Sequence, residues 1–206
     1  MIQLENVSKR LKKNTVLHDV SVTFEKGKLY LLRGHNGSGK TMLLRLLCGL
    51  IKPDSGTAHI GSESFGIIIE NPAFVLHETA RENLRFLAGI QKKIGMPEIE
   101  AALEQVNLLP VADKKVKTYS LGMKQRLAFA QAIMENPDVL LLDEPFNALD
   151  DEHFDLILQA ILEMQNDKII IVAAHGFDIA KHPIFDQVVS MNQGKIVAIE
   201  TFSENL

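Results

Sequence analysis

Residues 34–41 combine glycines, a lysine and a threonine at spacings that suit phosphate binding. The run Gly34-His35-Asn36-Gly37-Ser38-Gly39-Lys40-Thr41 fits the phosphate-binding loop pattern G-x-x-x-x-G-K-[S/T] at every constrained position. Glycines let backbone N–H groups surround a triphosphate without side-chain interference. The lysine adds a positive charge against the outer phosphates, and the threonine hydroxyl can coordinate a magnesium ion. The pattern therefore predicts a site for a nucleotide triphosphate.

The residues on either side of this loop have the patterns of a strand and a helix. Residues 29–32 are apolar and predict a buried strand, and residues 42–47 predict a helix. The N-terminus of that helix would direct its unpaired N–H groups at the phosphates. An ordinary glycine-rich turn is the alternative interpretation, and the flanking elements argue against it.

A second run of residues that could take part in catalysis follows the apolar residues 139–142. These residues predict a buried strand that ends in Asp143, Glu144 and Pro145. In a parallel sheet, ligands collect at the carboxyl ends of the strands, so both carboxylates should emerge beside the phosphate loop. Asp143 then suits a magnesium ligand, and Glu144 can polarise an attacking water. Taken alone, Asp-Glu-Pro would equally fit a solvated turn.

Two further motifs are ambiguous without context. Ser120 is a good N-cap for the helical run Leu121-Gly122-Met123-Lys124-Gln125-Arg126, whose exposed N-terminus could bind an anion. The same residues also fit a capped helix with no further role. His175 follows the apolar run 169–174, and a histidine at the end of a strand is more often a surface or capping residue.

The pattern along the chain alternates between strands and helices, with one helical insertion. Strands are predicted at residues 2–7, 16–24, 29–32, 57–60, 65–69, 139–142 and 169–174, with a hairpin at 188–191 and 195–200. Helices are predicted from near residues 79, 97 and 120, and at 151–164 and 177–181. The run Thr79-Ala80-Arg81-Glu82 fits a capping box, which predicts Thr79 as the N-cap of the first of these helices. The α/β class follows, interrupted by a mostly helical segment.

Composition limits the partners and the cellular compartment that are expected for this chain. The 206 residues carry a net charge of −4, which argues against nucleic-acid binding. A basic cluster, which is predicted to be a solvated turn, contains Lys9, Arg10, Lys12 and Lys13. The single cysteine, Cys48, cannot form an internal disulfide, so a reducing cytosolic compartment is expected. No apolar stretch approaches the roughly 20 residues that cross a bilayer, and residues 1–7 do not have the pattern of a signal peptide.

These motifs occur in the order and spacing of ABC-type ATPases, which the chain resembles over essentially its whole length. The resemblance implies a P-loop NTPase fold of the α/β class. Its RecA-like core would carry an antiparallel β subdomain and an inserted α-helical subdomain. Residues 1–71 and 136–206 would form the core with the β subdomain, and residues 72–135 the helical subdomain of a single domain.

The resemblance also implies the role of each site residue. ATP would contact residues 34–41 together with Leu11 and Val16. Magnesium would be held by Thr41, Asp143 and Glu70, and catalysis would rest on Lys40, Glu144 and His175. The ATP would be completed by a facing subunit in an ATP-dependent homodimer or heterodimer. That subunit would contribute the signature residues Ser120, Leu121, Gly122 and Met123, and the D-loop residues Ala148, Leu149 and Asp150 would cross the interface.

Three positions depart from the usual family pattern. Glu70 occupies the place of a glutamine that reaches magnesium, and Leu121 replaces a glycine of the signature. Both features resemble the branch that serves drug, bacteriocin and bacitracin-type exporters. Leu11 stands where many relatives place an aromatic residue that stacks on adenine. Since stacking is worth about 1–3 kcal/mol per base, we expect weaker discrimination between ATP and GTP.

The chain is therefore predicted to be the ATP-hydrolysing subunit of a transporter whose permease is a separate membrane protein. It would be cytoplasmic and peripheral on the membrane through that permease, with transport outward. Phe74, Leu76 and the helix from Thr79 are the predicted coupling surface. Two alternatives remain: a soluble ABC ATPase without a transport role, and a nucleotide-binding regulatory subunit with weak catalysis.

Overall fold

The structure, a computed structural model, describes residues 1–61, 63–70, 73–175 and 184–202. These residues form nine strands and five α-helices. The chain divides into two compact units. The first contains residues 1–70, 138–144 and 165–206, and the second contains residues 71–137 and 145–164. The predicted helical segment, 72–135, lies within the second unit, which also takes in residues 145–164.

A small antiparallel sheet occupies one part of the first unit. It contains β1 (Ile2–Leu11), β2 (Asn14–Phe24) and β4 (Ser55–His59), in the order β2-β1-β4. β1 is longer than predicted, so Lys9 and Arg10 lie in the strand, and their assignment to a turn was wrong. The ladder with β2 carries the extension, since Lys9 pairs with Leu17 and Leu11 with Asn14. Asp54 adds two contacts, because its carboxylate accepts from Lys9 Nζ at 2.7 Å and from the Arg10 backbone N–H at 2.7 Å.

The larger sheet supplies the edge from which the predicted site residues emerge. It contains β3 (Lys28–Arg33), β5 (Phe65–Ile68), β6 (Val139–Asp143), β7 (Ile169–Ala174), β8 (Gln187–Asn192) and β9 (Lys195–Thr201), in the order β5-β6-β7-β3-β8-β9. The first five strands in that order are parallel, and β9 runs antiparallel to β8. β7 is buried along its whole length, as expected for a central parallel strand. The carboxyl ends of β3, β6 and β7 therefore share one edge.

One hydrophobic core joins the two sheets and α1 (Lys40–Leu47). Val7 and Leu17 of the antiparallel sheet belong to the same buried cluster as Leu32, Leu43 and Ile171. Full burial of a Leu or Ile side chain contributes about 1.5–3 kcal/mol, so a cluster of this size holds its elements firmly together. The antiparallel sheet is therefore fixed relative to the loop between β3 and α1.

The second unit is helical. It contains α2 (Ala80–Gln91), α3 (Met96–Gln105), α4 (Leu121–Ile133) and α5 (Asp151–Met164). Two predicted N-caps are confirmed: Thr79 Oγ1 accepts from the Glu82 N–H at 3.1 Å, and Ser120 Oγ accepts from the Met123 N–H at 3.1 Å. Within the described ranges, no helix has both the length and the apolarity needed to cross a bilayer. The predicted helix at 177–181 lies outside the described residues.

Candidate functional site

The phosphate loop connects β3 to α1 and turns sharply at its end. Gly39 is the N-cap of α1 and has a φ of 109°, a conformation that favours glycine. Its carbonyl accepts from the Leu43 N–H at 2.9 Å, which begins the helix. The Lys40 side chain is buried, and its Nζ donates to the Gly34 carbonyl at 2.7 Å. The hydrogen bond from Lys40 therefore connects the end of the loop to its first residue, Gly34.

A cleft of about 610 Å³ lies over this loop. Its lining includes the predicted residues Leu11, Val16, Asn36, Gly37, Ser38, Gly39, Lys40, Thr41, Asp143 and Glu144. Gly34 and His35 are not among the lining residues, although the Gly34 carbonyl binds Lys40. The volume lies within the ~300–1,000 Å³ that is typical of sites for small molecules and cofactors. The apolar Leu11 and Val16 offer aliphatic contacts but no aromatic face to a base.

Thr41 and Asp143 meet in the cleft. The Thr41 hydroxyl donates to Asp143 Oδ2 at 2.6 Å. Burial raises the pKa of the Asp143 carboxyl above its ordinary value, and the Thr41 hydrogen bond and the Lys40 ammonium oppose that shift. A carboxylate that is costly to ionise in this way would be stabilised by a bound cation.

The oxygen donors of Thr41 and Asp143 fit magnesium. Mg²⁺ is commonly bound through one or two carboxylates together with substrate phosphates and water. Among the residues that the structure describes, no group of three or more His, Cys, Asp or Glu side chains could hold a metal ion. Glu70 is paired with Arg45 of α1 and has a φ of 62°. The Thr41–Asp143 pair is thus the stronger candidate for the ion.

Glu144 and His175 contact each other at the same edge of the large sheet. β6 and β7 are neighbours, and Glu144 and His175 directly follow them. The Glu144 N–H donates to the Ala173 carbonyl at 2.8 Å, and Glu144 itself has a φ of 51°. His175 Nδ1 lies 2.5 Å from Glu144 Oε1, so the Nδ1–H donates to the carboxylate. The imidazole thereby restricts the direction in which this carboxylate points.

The predicted signature and D-loop residues contact each other within the second unit. A Cβ on Gly122 would lie 2.7 Å from the Ala148 carbonyl oxygen, so this position requires glycine for packing inside the chain. Ala148 has a φ of 63°. Asp150 caps α5, since its Oδ1 accepts from the His153 N–H at 3.0 Å. Leu121 is exposed, which leaves the first turn of α4 accessible.

The turn between β8 and β9 forms a wall of the cleft that the sequence analysis did not assign. The Gly194 N–H donates to the Ser38 carbonyl at 2.8 Å, and the His18 N–H donates to the Gly194 carbonyl at 2.8 Å. Gly194 has a φ of 76°, and a Cβ there would lie 2.5 Å from the Val16 carbonyl oxygen. Four residues in this part of the lining were missed: Thr15, His18, Gln193 and Gly194. The sequence Asn192-Gln193-Gly194 indicated a hairpin turn but gave no sign of what the turn contacts.

Comparisons with known proteins identify close sequence relatives. The family described as "ABC transporter" matches residues 17–147. The uncharacterized ABC transporter ATP-binding protein YybJ of Bacillus subtilis (strain 168) is 42% identical over 97% of this chain and 96% of its own length. The bacitracin transport ATP-binding protein BcrA of Enterococcus faecalis is 34% identical, over 99% of this chain and 71% of its own length.

Solved structures share the fold over nearly the whole chain. The dimeric structure of MJ0796, a bacterial ABC transporter cassette, superimposes with a TM-score of 0.88 at 25% identity, and covers 98% of this chain and 99% of that chain. A dimeric post-hydrolysis state of the same cassette, bound to ADP and Pi, gives a TM-score of 0.87 at 22% identity and covers 98% and 99% of the two chains.

We predict that Gly194→Ala weakens nucleotide binding. The added Cβ must displace the backbone of β2 or of the turn, and both line the cleft. We expect the free energy of unfolding to fall by about 1–3 kcal/mol, as measured by denaturant titration. We also expect roughly a tenfold rise in the Kd for Mg-ADP, as measured by calorimetry. Gly49→Ala is the matched control, because Gly49 also has a φ of 76° but no atom lies within 4 Å of its Cβ position. Equal nucleotide affinities in the two variants would contradict the assignment of the turn as a wall.

Proposed function

Because the chain belongs to the ABC transporter family, as an ATP-binding subunit that hydrolyses ATP, we propose that its cleft over residues 36–42 is the hydrolytic site that powers a separate membrane permease. The observation that carries this proposal is the convergence of two contacts at one sheet edge. Thr41 with Asp143 suits the metal, and Glu144 with His175 suits activation of water.

We assign nucleotide binding to the loop and to the strands beside it. The N–H groups around Gly37 and Gly39 would surround the phosphates, at the N-terminus of α1. Lys40 is close to this backbone, and moving its Nζ from the Gly34 carbonyl to a phosphate would require little displacement of the loop. Leu11 and Val16 would contact the base. Magnesium, held by Thr41 and Asp143, would neutralise charge on the phosphate oxygens.

We assign the activation of water to Glu144. Its carboxylate would accept hydrogen bonds from the attacking water and orient it toward the γ-phosphate. His175 would act on that step by holding Glu144 Oε1 in place through a hydrogen bond from Nδ1. The positive φ of Glu144 supports this assignment, because strained backbone conformations cluster at functional sites.

Glu144→Gln should abolish hydrolysis without abolishing binding. The amide keeps the size of the side chain but is a poor proton acceptor, so we expect turnover to fall roughly 100- to 10,000-fold while Mg-ATP still binds. Phosphate release and nucleotide binding would be measured on the same preparation. Glu104→Gln, at an exposed position of α3, is the control. Parent-like turnover in Glu144→Gln would remove Glu144 from the mechanism.

The functional unit of this family is a dimer, and we propose that ATP joins two such subunits. The N-terminal turn of α4, with Ser120 as its cap and Leu121 exposed, would approach the phosphates bound by the facing subunit. Helix N-termini favour anions, which gives this turn a physical reason to bind a γ-phosphate. The non-hydrolysing Glu144→Gln chain would then accumulate as a two-subunit species in Mg-ATP, either with a second copy or with another ABC ATPase.

An exposed apolar surface on the second unit is our candidate for permease docking. Phe86 and Ile90 are 70% and 67% exposed and lie one turn apart on α2. Val75 and Leu76, in the segment before α2, are also exposed, whereas Phe74 is half-buried. Exposed apolar patches on soluble domains commonly mark interaction sites. A membrane-embedded partner that presents apolar side chains at its cytoplasmic surface would cover these residues.

Asn83 holds the segment before α2 in place. Its side chain is only 6% exposed, and Oδ1 accepts from the Val75 N–H at 2.8 Å. Its Nδ2 donates to the carbonyls of Val75 and Thr79, at 3.2 and 2.8 Å. On the other side, the Lys117 N–H donates to the Leu76 carbonyl at 2.9 Å. The segment is therefore bonded both to α2 and to the residues that lead to Ser120.

Replacing both Phe86 and Ile90 by glutamate should prevent assembly with the permease. Burying two unpaired charges opposes complex formation, so we expect affinity to fall about 10- to 100-fold while Mg-ADP binding stays at the parent level. Co-purification of each variant with the membrane permease would measure it. Leu50→Glu is the control, because Leu50 is 67% exposed but lies in the first unit. Retention of the double variant equal to that of the control would exclude this surface.

We propose that transport is outward. Two relatives are named for bacitracin transport, although one at 34% identity is named for sulfate and thiosulfate import. Glu70 and Leu121, which resemble the exporter branch, favour export. With bacitracin as the probe, inside-out vesicles that contain the assembled transporter should accumulate it only with ATP, and not with Glu144→Gln. Inward transport by right-side-out vesicles would contradict the proposal.

A further inference from the structure

Both ring nitrogens of His35 face oxygen atoms. Nδ1 lies 2.7 Å from the Asn36 carbonyl oxygen, and Nε2 lies 2.9 Å from Oδ1 of Asn192, the last residue of β8. A carbonyl oxygen accepts hydrogen bonds and cannot donate them. With Asn192 Oδ1 facing the ring, Nδ1–H and Nε2–H both donate only in the positively charged imidazolium. A flipped Asn192 amide would instead donate its Nδ2–H to a neutral ring, so the two arrangements differ in the charge of His35.

The surroundings of His35 agree with that geometry. The hydrogen bond to Asn192, followed by the one to the Asn36 carbonyl, raises the pKa of His35 above its ordinary value. Within the described part of the chain, the charged side chain that acts on His35 is Lys40, whose ammonium partly opposes protonation. The ring is exposed, so both of its charge states remain accessible to solvent protons.

The end of β8, which carries Asn192, and the turn after it are fixed against the phosphate loop by backbone contacts. The Gly194 N–H donates to the Ser38 carbonyl at 2.8 Å. A Cβ on Gly34 would lie 2.4 Å from the Met191 carbonyl oxygen, so β8 and the start of the loop are in direct contact. Asn192 therefore approaches His35 from a position that is set independently of the His35 side chain.

We propose that His35 is a second, proton-dependent cation of the phosphate loop, and that Asn192 is the positioning residue that keeps it protonated. This inference rests on the assignment of the loop as the nucleotide site. His35 follows Gly34, whose carbonyl binds Lys40, so the two cations are attached to the same short loop. Both charges would favour the negatively charged phosphates of a bound nucleotide.

The sign of the pH dependence follows from this linkage. A nucleotide that is bound more tightly by the imidazolium raises the pKa of His35 further. The extra affinity is complete below the pKa of His35 in the free protein, and it is lost as pH rises through the higher pKa of the complex. Because the group is exposed, the effect is modest, roughly two- to fivefold in Kd, and it weakens with salt.

The pKa of His35 can be measured directly without nucleotide. Imidazole nitrogen chemical shifts of the labelled full-length chain would be followed from about pH 5 to 9, a range that spans ordinary histidine titration. We expect the pKa of His35 to fall in Asn192→Leu, which removes the acceptor, and to rise in Asn192→Asp, which adds a negative charge. A pKa that is the same in the parent and both variants would overturn the role of Asn192.

Nucleotide binding provides the second measurement. Calorimetric titration with Mg-ADP, repeated across the same pH range, should show a two- to fivefold greater loss of affinity in the parent than in His35→Gln. Comparing the two proteins cancels the titration of ADP itself. His59→Gln, at an exposed histidine of β4, should behave as the parent. Identical pH profiles for the parent and His35→Gln would overturn the proposal.

These measurements separate failure of this inference from failure of the proposed function. If Mg-ADP does not bind at any pH, the nucleotide site itself is wrong, although the resonance measurement still reports the contact between His35 and Asn192. If Mg-ADP binds with the same pH profile in both proteins, the nucleotide site stands and the role of His35 does not. Asn192→Asp keeps the test usable if Asn192→Leu does not fold.

Discussion

The path of the backbone from Arg33 to Lys40 determines whether the cleft can hold phosphates. The loop is packed on one side against β8, where a Cβ on Gly34 would meet the Met191 carbonyl oxygen at 2.4 Å. At its other end, Gly39 has a φ of 109°, and a Cβ there would lie 3.1 Å from Gly194 Cα. These glycines thus serve packing as well as ligand access. The shape of the loop is held by its neighbours before any phosphate binds.

The charged groups of the site are buried in a way that favours binding of a ligand of opposite charge. Lys40 is buried, and its ammonium is bonded to a backbone carbonyl that a phosphate can replace. Burial raises the pKa of Asp143, so its ionised form is costly until a cation is near. Buried, partly compensated charges of this kind are typical of functional sites, where binding energy supplies the missing compensation.

Two of the four covalent connections between the two units directly follow site residues. The chain leaves the first unit directly after Glu70, and again directly after Glu144. In the second unit, Arg126 of α4 donates from Nη1 to the carbonyls of Val106 and Asn107, at 2.8 and 3.0 Å, so the helix that Ser120 caps is tied to the end of α3. Both carboxylates are therefore one peptide bond away from the unit that carries the exposed apolar residues Phe86 and Ile90.

The sequence by itself determined the class of fold and the nucleotide chemistry. The spacing of Gly34, Gly39 and Lys40, and the apolar strand before Asp143, are local patterns that depend on backbone geometry over a few residues. The caps at Thr79 and Ser120 and the bounds of α5 were predictable for the same reason. The extension of β1 through Leu11 was not, because it depends on the register in which β1 pairs with β2 rather than on the types of the residues.

Only the tertiary structure decided which distant residues complete the site. His35 and Asn192 are 157 positions apart, and they meet because β3 and β8 are neighbouring strands. Tertiary packing likewise pairs Glu70 with Arg45, places Gly194 at the wall of the cleft and brings Gly122 against Ala148. Side-chain types can be read along a chain, but the distances between them depend on the order of the strands and on the packing of the core.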